Sequence, residues 1–125
     1  MPHRILLADD HEGIRRRVRS VLEAAGFEVC GEAANGLDAV AKIKDLTPDL
    51  IILNLSMPVM DGLQAIPEIS KSAPSVKILI FTMDDSTELR RETFRRGAHG
   101  FVSKSSALPE LIDEVKRLLP NHASS

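Results

Sequence analysis

Five short apolar runs alternate along the chain with segments whose apolar residues recur every three or four positions. The first run, Arg4-Ile5-Leu6-Leu7-Ala8, predicts a strand, and Ile14, Val18, Val21, Leu22 and Ala25 then place one stripe on a helix that Gly26 closes. Glu28 to Ala33 predicts the second strand, and Asn35-Gly36 punctuates it before a helix through Val40, Ala41 and Ile43. Asp49 to Leu53 follows the turn signal Thr47-Pro48 and is apolar without alternation, which predicts a strand buried on both faces. The third helix follows Gly62, with Pro67 placed to shift or kink its start. Val76 to Phe81 predicts the fourth strand, and Thr87 to Arg96 a mostly polar helix anchored by Leu89 and Phe94 and stopped by Gly97. Gly100 to Ser103 is a short fifth strand. Leu108, Leu111, Ile112, Val115, Leu118 and Leu119 then give the clearest amphipathic helix, which Pro120 ends before a disordered tail over 121–125.

Strands separated by helices of this length form crossovers, so the fold class is α/β with a parallel sheet covered on both faces. Such sheets hold ligands beyond the carboxyl ends of their strands. The residues there are Asp9-Asp10 after the first strand, Asn54 after the third, Thr82 after the fourth and Lys104 after the fifth, while the second offers only Ala34-Asn35. Adjacent carboxylates suit a magnesium ion, which takes a few carboxylates, water and a phosphate oxygen. A threonine hydroxyl and a lysine ammonium beside them would neutralise a phosphoryl group. Each residue alone has a plainer explanation, as a helix cap, a loop threonine or a surface lysine. Their fall at one edge of one sheet is what points to a site.

The 125 residues fit one domain, and 43% hydrophobic residues suffice for one core. Net charge of -2 and a pI near 6.1 argue against a dedicated nucleic-acid binder. The cluster Arg15-Arg16-Arg17-Arg19 reads as a solvated helix face. The single cysteine, Cys30, reads as strand packing and fits a reducing compartment. No long apolar segment precedes the first strand, so neither signal peptide nor membrane span is expected, and the expected location is cytoplasmic.

Four segments carry a resemblance: Leu6-Leu7-Ala8-Asp9-Asp10-His11, Leu53-Asn54-Leu55-Ser56-Met57-Pro58-Val59-Met60-Asp61-Gly62, Phe81-Thr82-Met83, and Gly100-Phe101-Val102-Ser103-Lys104. The chain resembles a response regulator receiver domain of bacterial two-component systems, of the NarL-type subfamily, from Arg4 to about Leu119. The resemblance implies a flavodoxin-like (βα)5 fold with strand order 2-1-3-4-5 and a receiver spanning residues 1–120. It implies that Asp9, Asp10 and the backbone carbonyl of Ser56 hold magnesium, that Thr82 is the switching hydroxyl, that Lys104 contacts the phosphoryl group and that Phe101 is the aromatic that changes rotamer. It also implies a sensor histidine kinase as partner. The fourth helix, fifth strand and fifth helix would be the output face, carrying Glu88, Arg90, Arg91, Arg95, Arg96, Asp113, Glu114, Lys116 and Arg117, with salt bridges that could pair two copies.

Asn54 departs from that family pattern. It stands where such domains carry the aspartate that accepts phosphate, and a neutral carboxamide is a poor nucleophile, so phosphorylation at this position should be lost. Magnesium should bind more weakly through Asp9, Asp10, Asn54 and Ser56. One charge contact is worth roughly 4 kcal/mol at about 4 Å and an effective dielectric of about 20, before desolvation. Three origins compete: a substitution introduced into an ordinary receiver, a natural receiver working without phosphate as a protein-interaction module, and a sequencing or deamidation artefact. In the first two, the chain is a signalling domain, with its acceptor residue missing, and not an enzyme. It would act by protein contact, with transcriptional control through a C-terminal domain that the sequence does not contain. A flavodoxin-like binding protein is the alternative, but two acids occupy the place of a phosphate-cradling loop and the chain has no Trp or Tyr.

Overall fold

The computed structural model describes residues 2–120, and the tail expected over 121–125 lies outside the described residues. Five strands and five helices alternate: β1 (Arg4–Ala8), α1 (Glu12–Ala24), β2 (Glu28–Ala33), α2 (Gly36–Leu46), β3 (Leu50–Leu53), α3 (Gly62–Ser72), β4 (Lys77–Thr82), α4 (Thr87–Arg96), β5 (Gly100–Ser103) and α5 (Leu108–Leu118). All pairings are parallel, in the order β2-β1-β3-β4-β5. This is the doubly wound, flavodoxin-like arrangement the sequence predicts. Its strand order reverses between β1 and β3, the switch point at which such sheets bind ligands.

The strands that lack alternation are buried on both faces, and their residues divide by parity. Leu6, Ala8, Ile51, Leu53, Ile78 and Ile80 enter one core with the buried faces of α2 and α3. Ile5, Leu7, Leu50, Ile52, Leu79 and Phe81 enter a second with α1 and α5. Side chains of successive strand residues point to opposite faces, so a strand between two cores must be apolar throughout.

Several local details differ from the sequence pattern. Pro67 lies inside α3 and does not displace its start, which Asp61 fixes through a capping box with Gln64. A proline at 67 removes the donor that would meet the Leu63 carbonyl, and Arg96 Nη1 of α4 donates to that oxygen at 3.1 Å instead. Phe94 is exposed and does not anchor α4; the helix is held by the fully buried Thr93 and the partly buried Leu89. Thr93 can be buried because its hydroxyl donates to the Arg90 carbonyl at 2.7 Å. Cys30 falls at an irregularity in the β1–β2 register, half-buried, with its thiol 3.5 Å from the Ile5 carbonyl. Burial pushes that thiol up, which agrees with a packing role. Among the described residues no helix is long and apolar enough to cross a membrane.

Candidate functional site

The site is assembled by backbone bonds that continue the sheet past its carboxyl edge. The N–H of Asn54 donates to the Ala8 carbonyl at 2.9 Å, and that of Asp9 to the Ala33 carbonyl at 3.0 Å. The N–H of Lys104 donates to the Thr82 carbonyl at 2.8 Å, so the ends of β4 and β5 are held level. Residues far apart in sequence thereby meet at one edge.

Lys104 and Asp9 form the central contact. The ammonium lies 2.7 Å from Asp9 Oδ2, with the side chains only 5% and 8% exposed. In so dry a position the two charges depend on each other, because either alone would carry an unpaired desolvation cost. The other oxygen, Asp9 Oδ1, accepts the backbone N–H of His11 at 2.9 Å and shapes the entry into α1. The acid pair therefore does not cap that helix directly, and the N-cap, His11, makes no side-chain cap bond. His11 Nδ1 sits 3.2 Å from oxygens of both Asp9 and Asp10, and one ligand atom from each of the three lies within 4.8 Å of the others.

Asn54 is buried, and its amide nitrogen is aimed into the site. Nδ2 donates to the Ser56 carbonyl at 2.8 Å and to Asp10 Oδ1 at 3.3 Å. Two carboxylates beside a carbonyl suit a divalent cation. A cation, however, needs lone pairs, and on this side of the pair Asn54 offers N–H groups. As arranged, a metal ion between Asp10 and the Ser56 carbonyl would have to displace the Asn54 amide nitrogen.

Thr82 is buried at the end of β4 and shares a cleft with Ser56, Met57, Asp61 and Asp84. Phe101 lies elsewhere: it is buried in β5, opposite Ile80, with the Arg90 guanidinium 5.3 Å from its ring centre. Asp9, Asp10, Asn54, Ser56 and Lys104 are thus joined by direct contacts, whereas Phe101 contacts α4.

Two features of the site escape local sequence patterns. Arg15 is not a freely solvated cation: its guanidinium donates to the Asp9 carbonyl and, through Nε, to Glu32 at 2.7 Å. Arg19 grips the same carboxylate at 2.7 Å, so α1 is clamped to β2 behind the acid pair. Burial alone would raise the Glu32 pKa, but hydrogen bonds from Arg19 and Arg15 outweigh it and hold the carboxyl below its ordinary range. Val59 is the second. Its φ is +68° and the Met60 N–H donates to the Pro58 carbonyl at 2.8 Å, which makes a three-residue turn with a β-branched centre. Such strain costs on the order of 1–3 kcal/mol and persists only where neighbours enforce it.

On the face expected for output, Arg95, Arg96 and Arg117 pair within the chain. Glu92 meets Arg95 at 2.6 Å and Arg96 at 2.7 Å, and Glu114 meets Arg117 at 2.7 Å.

Known proteins share this architecture. The chemotaxis protein CheY of Thermotoga maritima is 33% identical over 94% of the chain and 98% of its own length. The BvgA protein of Bordetella pertussis, described as a positive transcription regulator of virulence factors, is 32% identical over 98% of the chain, which spans 58% of BvgA. A two-component response regulator of the LuxR family from an Aurantimonas species superposes with a TM-score of 0.92 at 32% identity, over 98% of this chain and 88% of that one. The family model described as the response regulator receiver domain matches residues 5–116, and with the five-stranded order and the acidic strand-end pocket already in place, the chain belongs to that family.

Proposed function

We propose that residues 1–120 form a receiver module whose phosphate-accepting position is filled by Asn54, so that no phosphoryl group is taken from a histidine kinase there. The observation that carries this reading is the place of Asn54: it follows β3 directly, buried, between Asp10 and the Ser56 carbonyl. A carboxamide nitrogen has its lone pair delocalised and the oxygen carries no full charge, so neither attacks phosphorus as a carboxylate would. Lys104, held by Asp9, and Thr82 remain where they would neutralise a phosphoryl group. Magnesium, which would supply charge neutralisation through Asp9, Asp10 and the Ser56 carbonyl, binds weakly, and the chain rests in the unphosphorylated signalling state.

The output passes by protein contact. Phe101, buried under Arg90, sits where a change of rotamer would reach α4, and the α4-β5-α5 face is the surface for a partner or a second copy of the chain. By likeness to transcription regulators such as BvgA, control of transcription through a separate DNA-binding domain is the expected output. This module itself binds no nucleic acid, and it works in the cytoplasm beside a sensor kinase.

The test is treatment with acetyl phosphate and magnesium, read by intact mass, on the chain as it stands and on Asn54→Asp. The expected result is a phosphoryl adduct on the Asp variant alone. An adduct on the original chain, mapped to position 54, would overturn the proposal.

A further inference from the structure

The two acceptors that face the Asn54 amide nitrogen are the Ser56 carbonyl at 2.8 Å and Asp10 Oδ1 at 3.3 Å. Given the reading of position 54 above, on which this inference rests, these are two of the oxygen groups that would otherwise converge on a cation. The remaining one, Asp9, has its Oδ2 taken by Lys104 Nζ at 2.7 Å and its Oδ1 by the His11 N–H at 2.9 Å. Both oxygens of Asp9, Asp10 Oδ1 and the Ser56 carbonyl are therefore each already engaged by a proton donor of the protein.

We propose that the Asn54 amide nitrogen is a built-in substitute for the divalent cation. A carboxamide –NH2 has two donors, and here one is directed at each acceptor. Lys104 supplies the positive charge that the amide lacks. The pocket is closed from within, and its arrangement is held without metal.

This differs in a measurable way from the simple loss of a negative charge. If charge alone mattered, the cation position would stay open and merely weaker, and Asn54 would bind magnesium at least as well as an alanine, since Oδ1 is a possible ligand. If the amide occupies that position, magnesium must first displace Nδ2 from Ser56 and Asp10. Asn54→Ala, which carries neither the charge nor the donors, then binds magnesium more tightly than the original chain.

The experiment compares three 125-residue chains, the original, Asn54→Ala and Asn54→Asp, by circular-dichroism melting in EDTA and in millimolar magnesium chloride. The expected result is no magnesium shift for the original chain, a clear rise in Tm for Asn54→Asp, and a smaller rise for Asn54→Ala. The apparent magnesium Kd of the Ala variant should be about tenfold below that of the original, equivalent to about 1.4 kcal/mol. A second measurement needs no substitution: the two side-chain amide protons of Asn54 should exchange slowly with solvent in EDTA, and their NMR resonances should not move on addition of magnesium. An Ala variant no more responsive than the original chain, or Asn54 amide resonances that titrate with magnesium, would overturn the inference. Phosphorylation of Asn54→Asp with an unresponsive Ala variant would do so while leaving the reading of position 54 intact. Failure of Asn54→Asp to be phosphorylated would strike that reading instead.

Discussion

Replacing Gly62 by alanine sets two well-measured effects against each other at the base of the site. Gly62 opens α3, and its N–H donates to the Leu55 carbonyl at 2.8 Å. On helix propensity alone, alanine would stabilise by roughly 0.5–1 kcal/mol. An added Cβ, however, would stand 2.2 Å from the Asn54 carbonyl oxygen and 2.7 Å from Leu55 Cα, far inside the 3.4 Å at which ordinary contact begins. Both obstacles are backbone, pinned by the bonds that attach Asn54 to β1 and Leu55 to Gly62. No rotamer can relieve the overlap, so the start of α3 or the β3–α3 connection has to move. Overpacking of a tight interior costs about 1–3 kcal/mol and sometimes more, which outweighs the propensity gain. The expected net loss is about 1–2 kcal/mol out of a domain stability of order 5–15 kcal/mol. Urea unfolding followed by circular dichroism measures it, and with a slope of roughly 1–2 kcal/mol per molar the midpoint should fall by about 1 M. Gly13→Ala is the internal control, because a Cβ there meets nothing within 4 Å, and its midpoint should hold or rise. Equal midpoints for Gly62→Ala and Gly13→Ala would refute the reasoning.

Two further perturbations follow from the charges. Lys104→Met leaves Asp9 buried without its cation and should cost about 3–5 kcal/mol by urea unfolding, while Lys104→Met combined with Asp9→Asn should cost less than the single change; a loss below about 1 kcal/mol for the single variant would contradict the dry ion pair. His99 accepts the Ile78 N–H on Nδ1 at 3.0 Å, and burial, followed by the Lys77 charge, lowers its pKa from the ordinary 6.5. The folded state thus takes up this proton less readily than the unfolded chain. The stability it contributes is complete above 6.5 and is lost as pH falls through the folded pKa. Glu32 and Glu114 lie below their ordinary 4.5 and act only in more acid solution. The urea midpoint should therefore drop between about pH 7.5 and 5.5 in the original chain and hold in His99→Asn, and identical pH profiles would exclude the histidine as the cause.

The sequence by itself determined the order of elements and which polar residues stand at the carboxyl edge of the sheet. β1, β2, β5 and α4 begin and end where the apolar runs, Gly97 and Gly100 place them, and β3 and β4 differ by one residue at their ends. This was legible because burial on both faces leaves no polar positions inside a central strand, and because residues just past strand ends are fixed by topology once the strands are known. Asp9, Asp10, Asn54, Thr82 and Lys104 could therefore be named from the chain alone.

Tertiary structure decided everything that depends on a partner distant in sequence. The donor that replaces the one lost at Pro67 comes from Arg96, and the carboxylate that gathers Arg15 and Arg19 comes from Glu32. No local spacing encodes either. The same holds for the buried Thr93, which a polar helix hides until α4 packs against α3, and for Val59, whose positive φ defies its own propensity because the loop around it is fixed. Above all, the sequence supplied an amide at position 54 but not its direction. Only the convergence of Asp10 and Ser56 on one side of that amide, with Lys104 paired to Asp9 beside it, turns the nitrogen inward, because the buried amide's own N–H groups need acceptors and these two oxygens supply them.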